Sequence, residues 1–139
     1  MPRIACVIVS DFPIAALIRS DDSLAGVPLV VSESRAAHAE ILFASEAALK
    51  LGVRARMTLA QARALAPALL AALRSMAAER SAADALIDAA EAMSPAVEAG
   101  EPGCVWLDLT GMERIHGNEG ELASELARRV KRVGMEGSI

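Results

Sequence analysis

Four carboxylates stand near the ends of apolar, strand-like runs: Asp11, Glu98, Glu101 and Asp108. Converging carboxylates of this kind hold hard divalent cations such as Mg²⁺. None of the four belongs to a D-x-D or D-E pair. His38 and His116 stand without a nearby Ser, Cys or carboxylate pattern and read as surface histidines. No G-x-S-x-G elbow supports a Ser-His-Asp reading. Phosphate-cradling loops of the GxxxxGK[ST] or GxGxxG type are also missing. Cys6 and Cys104 are far apart in sequence and show no CxxC spacing. Neither a disulfide scaffold nor a zinc site is expected from them. Both lie in apolar runs and read as buried thiols. The basic run Arg128-Arg129-Lys131-Arg132 reads as a solvated helix end that complements the helix dipole, or as a phosphate contact.

The elements that would position these residues alternate between strand and helix. Residues 3–9 form a continuous apolar, β-branched run that suits a strand buried on both faces. Asp11 is the expected N-cap of a helix carrying Ile14, Leu17 and Ile18, with Pro13 tolerated in the first turn. Residues 27–31 and 40–43 read as strands around a polar turn at 33–38. Ser45 opens a helix that Gly52 stops. Thr58 and Gln61 form a capping box for a helix ending at Pro67. Residues 69–73 fit helix by composition and strand by length and position. A long helix spans 76–93 and breaks at Ser94-Pro95. Residues 104–109 form a strand closed by Thr110-Gly111. The last helix, 121–133, carries Leu122, Leu126, Val130 and Val133 at helical spacing, and Gly134 caps it. Ser138-Ile139 looks like the start of a return strand, so the chain reads as a fragment. The fold class is α/β (α+β).

Composition narrows the function. The chain has 139 residues, 54% of them hydrophobic, with two Phe, one Trp and no Tyr. It can bury enough apolar surface to fold, which excludes disorder, and its core must be Leu, Ile, Val and Ala. The net charge of −4 excludes a surface that is nucleic-acid footprint all round, but not one DNA-facing side. The longest apolar run, Ala64–Leu73, is too short for a membrane span and contains Pro67. The first apolar segment begins at once and breaks at Ser10-Asp11, so no signal peptide and a cytoplasmic protein are expected.

The order of segments carries a resemblance. The N-terminal strand leads into Asp11-Phe12-Pro13-Ile14-Ala15-Ala16, then Ser23-Leu24-Ala25-Gly26-Val27-Pro28-Leu29-Val30-Val31. Ala44–Met57, Ala60-Gln61-Ala62 and Leu65-Ala66-Pro67 follow, then Ser94-Pro95-Ala96-Val97-Glu98 and Trp106-Leu107-Asp108-Leu109-Thr110-Gly111. This series resembles the N-terminal third of a Y-family, translesion DNA polymerase, from about residue 3 to the last residue. The resemblance implies a partial ferredoxin-like palm built by residues 1–10 and 76–139. A small fingers-like subdomain, 11–75, would be inserted between them. The rest of the palm, the thumb and the little finger would follow.

Departures from the family pattern are as informative as the matches. The metal-binding Asp of the family's first strand falls on Ile8 and the second Asp of its D-x-D on Ser10, with Asp11 one residue out of register. A one-residue shift in a strand turns the side chain to the other face. The family's Asp-Glu metal pair falls on Gly103 and Cys104. Its aromatic sugar gate falls on Pro13, and its triphosphate-binding Tyr and Arg fall on Glu46 and Leu49. Two-metal phosphoryl transfer needs those carboxylates.

The pattern is similar to the ImuB-type, non-catalytic members of the family. That likeness implies an adaptor in damage-induced mutagenesis, bacterial, cytoplasmic and nucleoid-associated. Its partners would be DNA, a sliding clamp, an error-prone C-family polymerase and a RecA-like accessory protein, with no membrane and no cofactor. Arg54, Arg56 and Arg63 are the candidate DNA contacts, against the reading that they are simply solvated. Two other readings stay open. One is a divergent, Mg²⁺-dependent nucleotidyltransferase using Asp11, Glu101 and Asp108, of which Asp11 and Asp108 are the alternative metal ligands. The other is an unrelated α/β binding domain.

Overall fold

The computed structural model describes residues 3–139. Two small sheets, each of three strands, are joined through one shared helix. The first sheet has the order β1 (Ile4–Ile8), β6 (Cys104–Asp108), β5 (Val97–Ala99), all antiparallel. The second has the order β3 (Ile41–Ala44), β2 (Leu29–Ser32), β4 (Leu70–Leu73). There β2 runs antiparallel to β3 and parallel to β4. The ambiguous run at 69–73 is therefore a strand. Its alanines favour helix, but its backbone completes a ladder: Leu70 N–H donates to Pro28 O at 2.9 Å.

The larger core lies on one face of the first sheet. Val7, Val105 and Leu107 point into it, against Ala82, Leu86 and Ala90 of α4 (Met76–Glu91). Leu122, Leu126 and Val130 of α6 (Glu119–Arg132) close it, which is the stripe expected from the helical period. Val133 packs against this core half-buried. The opposite face of the same sheet is open. Ile4 is 59% exposed, Ile8 51% and Trp106 46%. The expectation that residues 3–9 are buried on both faces is thus corrected. The two helices cover one face only, so Val7 is buried while its neighbours alternate outward.

In the second sheet β2 is buried on both faces. Val30 packs with Ala48, Val53, Leu59 and Ala62, the last two from α3 (Leu59–Leu65) and Ala48 from α2 (Glu46–Lys50). Leu29 and Val31 pack with Ile14 on the other side. Ile14 belongs to α1 (Phe12–Ser20), whose Phe12 and Ala16 enter the larger core. One helix therefore contributes to both hydrophobic clusters.

Local signals account for most of the helix starts. Thr58 Oγ1 accepts from Gln61 N–H at 3.1 Å, and Gln61 Oε1 accepts from Thr58 N–H at 2.9 Å, the reciprocal pair of a capping box. Ser45 and Ser75 cap α2 and α4 through Ala48 and Ala78. Asp11 departs from expectation. Its side chain makes no cap bond, and its backbone adopts a left-handed conformation with φ 48°. The carbonyl of Asp11 accepts from Ile14 and Ala15, as an N-cap carbonyl does. Three short elements went unread in the sequence, a 3-10 turn at Asp22–Leu24, β5 and α5 (Glu113–His116), each too short to repeat an amphipathic pattern. Ser138 forms a single antiparallel bridge with Ile8, with N–H to O distances of 2.9 and 2.8 Å, where a return strand was expected.

Candidate functional site

The antiparallel pairing of β1 with β6 puts Ile8 directly opposite Cys104. Gly103 is the next residue back, where the chain turns between β5 and β6, and its carbonyl accepts from Val9 N–H at 2.8 Å. The three positions that the polymerase resemblance assigns to metal carboxylates are therefore neighbours at one end of the first sheet. Their chemistry is a branched alkane, a bare backbone and a thiol. Mg²⁺ takes oxygen ligands in near-octahedral geometry, and these three side chains supply none. Gly103 is constrained further. Its φ is +85°, and a Cβ built there would lie 2.8 Å from Val9 O and 3.0 Å from Phe12 Cβ. A carboxylate side chain has no room at that backbone as it stands.

The alternative ligands do not converge. Asp108 is opposite Ile4, at the other end of β6. Asp11 follows the far end of β1, and Glu101 lies in the turn beside Gly103. Antiparallel strands rising about 3.3 Å per residue hold Asp108 well out of reach of Asp11. Strand direction thus argues against the alternative in which Asp11 and Asp108 share a metal ion. Among the described residues no three His, Cys, Asp or Glu side chains are grouped to hold an ion. Asp108 has a local role. Its Oδ1 accepts from Thr110 N–H at 2.9 Å, and the Thr110 hydroxyl and amide hold its carboxyl below the usual carboxylate range.

A cleft of about 640 Å³ opens between the start of α2, the start of α1 and the C-terminal residues. Ile8, Ser10, Asp11, Ser45, Glu46 and Lys131 are among the residues that line it. Glu46, standing where the resemblance places a triphosphate-binding Tyr, is highly exposed and lies 3.7 Å from Lys50. Leu49, at the corresponding Arg position, presents an exposed apolar side chain. Pro13, at the sugar-gate position, is buried in the first turn of α1. With Asp11, Glu46 and Glu136 on the cleft against Lys131, the local field disfavours a polyanion.

The three arginines have different surroundings. Arg54 Nη1 donates to Leu49 O at 2.8 Å and Val53 O at 2.9 Å, closing carbonyls at the end of α2. Arg56 and Arg63 are exposed, and Arg56 has φ 76°. Half of the basic run of α6 is occupied locally. Arg128 and Arg129 both pair with Glu125, and Arg128 leads the charges that hold the Glu125 carboxyl below its usual range. His38 is exposed and His116 half-buried.

The cysteines meet in space. Cys6 Sγ and Cys104 Sγ are 3.2 Å apart. Both are half-buried on the open sheet face, which corrects the reading of two separate, buried thiols. No spacing rule reports this proximity, because it comes from strand register over 98 residues.

Residues 8–139 match the profile of the impB/mucB/samB family. The chain belongs to that family. No curated protein matches it. Among solved structures, the fold is similar to the post-insertion binary complex of Dbh DNA polymerase, with a TM-score of 0.81 and 20% identity over 99% of this chain and 41% of that one. DinB from Sulfolobus solfataricus gives 0.76 and 20% over 98% and 41%. The insertion ternary complex of Dbh DNA polymerase gives 0.76 and 20% over the same shares. The chain thus spans about two-fifths of the length of these structures. At this identity the likeness establishes the fold, a polymerase palm-like arrangement of α and β elements. Among the described residues no helix is long and apolar enough to cross a membrane.

Proposed function

We propose that this chain is part of a non-catalytic, polymerase-like adaptor acting in translesion DNA synthesis. One observation carries the reading: Ile8, Gly103 and Cys104 occupy the neighbouring positions that would hold metal carboxylates, and Gly103 has no space for a side chain. Mg²⁺ does not fit this donor set, so no resident cofactor is assigned. The acidic cleft around Glu46 supports the same reading, because a nucleoside triphosphate would meet like charge there. On this reading residues 1–10 and 76–139 are palm and 11–75 are fingers-like. The full-length protein, bacterial and nucleoid-associated, would bring a sliding clamp, a C-family polymerase and a RecA-like protein to damaged DNA. The test is primer extension by the full-length protein with Mg²⁺ and all four deoxynucleotides. No extension is expected. Extension that Asp11→Ala or Asp108→Ala abolishes would overturn the proposal.

DNA contact through the exposed fingers-like surface is a separate part of the proposal. Exposed Arg56 and Arg63 support it, with Arg54 contributing through the part of its guanidinium not bound to carbonyls. Phosphate contacts release counterions, so binding should weaken with salt. The triple alanine variant is expected to bind single-stranded template more weakly and with a shallower salt slope. Equal slopes in the two proteins would remove the contact.

A further inference from the structure

The sulfur pair on the open sheet face is explained by neither the fold nor the proposed function. Cys6 is opposite Trp106 and Cys104 is opposite Ile8, so the two cysteines are diagonal neighbours. Right-handed strand twist draws one diagonal of each antiparallel pair together. The result is Sγ atoms 3.2 Å apart on side chains that remain partly open to solvent. A disulfide bond is about 2 Å long, so the two sulfurs need to close by roughly 1 Å. Nothing polar intervenes, and the exposed Ile4, Ile8 and Trp106 leave the face accessible to a small oxidant.

We propose that Cys6 and Cys104 are a thiol-oxidation site that forms a reversible intramolecular disulfide with a hydroperoxide as oxidant. The overall change is two thiols and one hydrogen peroxide giving one disulfide and two waters. One of the two sulfurs, as its thiolate, attacks the peroxide; the O–O bond breaks, a sulfenic acid forms on that sulfur, and the other oxygen takes up a proton and leaves as water. The second sulfur then attacks the first, the S–O bond breaks, and the hydroxyl leaves as water with the proton of the second thiol. Burial and the contact with Cys104 push the Cys6 thiol up to about 11. In a reducing compartment the pair rests as the dithiol, and disulfides formed there are usually transient and redox-sensing. The bond would tie β1 to β6 across the whole segment that carries the second sheet. The proposal does not depend on whether the protein is catalytic.

The full chain is reduced, freed of reductant, treated with hydrogen peroxide, then alkylated and weighed intact. The expected product is a monomer lighter by the mass of two hydrogens, with no alkylated thiol, restored to two alkylated thiols after dithiothreitol. Cys6→Ser and Cys104→Ser should each lose this product. The oxidised wild type should melt roughly 5–15 °C higher than the reduced form, from loop closure in the unfolded chain. Two alkylatable thiols after peroxide, or a disulfide found only between chains on a non-reducing gel, would overturn the proposal.

Discussion

A methyl group at position 103 would press to within 2.8 Å of the Val9 carbonyl oxygen and 3.0 Å of Phe12 Cβ. The contact atoms are backbone and a buried ring base, neither of which can swing aside. The φ of +85° adds strain for any side chain. Gly103→Ala should therefore destabilise the fold by about 1–3 kcal/mol, read as a lower midpoint in urea unfolding. An unchanged midpoint would show that the β5–β6 turn relaxes freely and would weaken the argument for a lost carboxylate. Cys6 gives a second prediction at this scale. Its thiol pKa is raised in the folded chain, from 9.0 to about 11. Between those values the native state holds a proton that the unfolded state has released, so stability falls as pH rises. Unfolding free energy should be level below about pH 9 and decline toward pH 11, and Cys6→Ser should flatten that decline. Short motifs led to Ile8, Gly103 and Cys104 as an expectation, and strand register makes the three neighbours. The meeting of Cys6 with Cys104 was not, because no local pattern encodes the pairing of strands so far apart.

Ser45 shows how one side chain can join elements. It is buried, its hydroxyl donates to Val27 O at 3.1 Å, and it accepts from Leu29 N–H at 3.0 Å and Ala48 N–H at 3.3 Å. The first two bonds hold the start of β2, and the third caps α2. Ser45→Ala leaves the buried Leu29 amide without that acceptor, at a cost of about 2–3 kcal/mol. Thr58→Ala, at a half-buried cap whose side chain bridges no second element, should cost only about 1 kcal/mol. Thermal unfolding of both variants checks the order, and equal losses would contradict the bridging role. Both serine and threonine caps were readable, because a cap and its partner lie within four residues. The side-chain cap expected of Asp11 failed because its backbone is left-handed, not the extended conformation that aims an N-cap carboxylate at the first-turn amides. Residues 70–73 became a strand because β2 offered an unpaired ladder, which outweighs alanine propensity.

At the scale of the molecule, α4 and α6 cover one face of the first sheet and leave Ile4, Ile8 and Trp106 on the other. Cys6 lies between them, and Asp108 and Glu98 border the patch on β6 and β5. An exposed apolar sheet face of this kind drives association. The 139-residue chain is expected to self-associate in sedimentation velocity, with the average mass rising with concentration. Ile8→Lys should shift it toward monomer, and a wild-type monomer at every concentration would contradict the prediction. Apolar periodicity, caps and segment order by themselves determined the α/β class, most element positions and the family, since these are encoded over neighbouring residues. Tertiary structure alone decided that β1 is covered on one face only, that Asp11 and Asp108 lie at opposite ends of the sheet, and that two distant thiols share a site. Those outcomes depend on strand register and on which face the helices cover, and both are settled only when distant segments pack together.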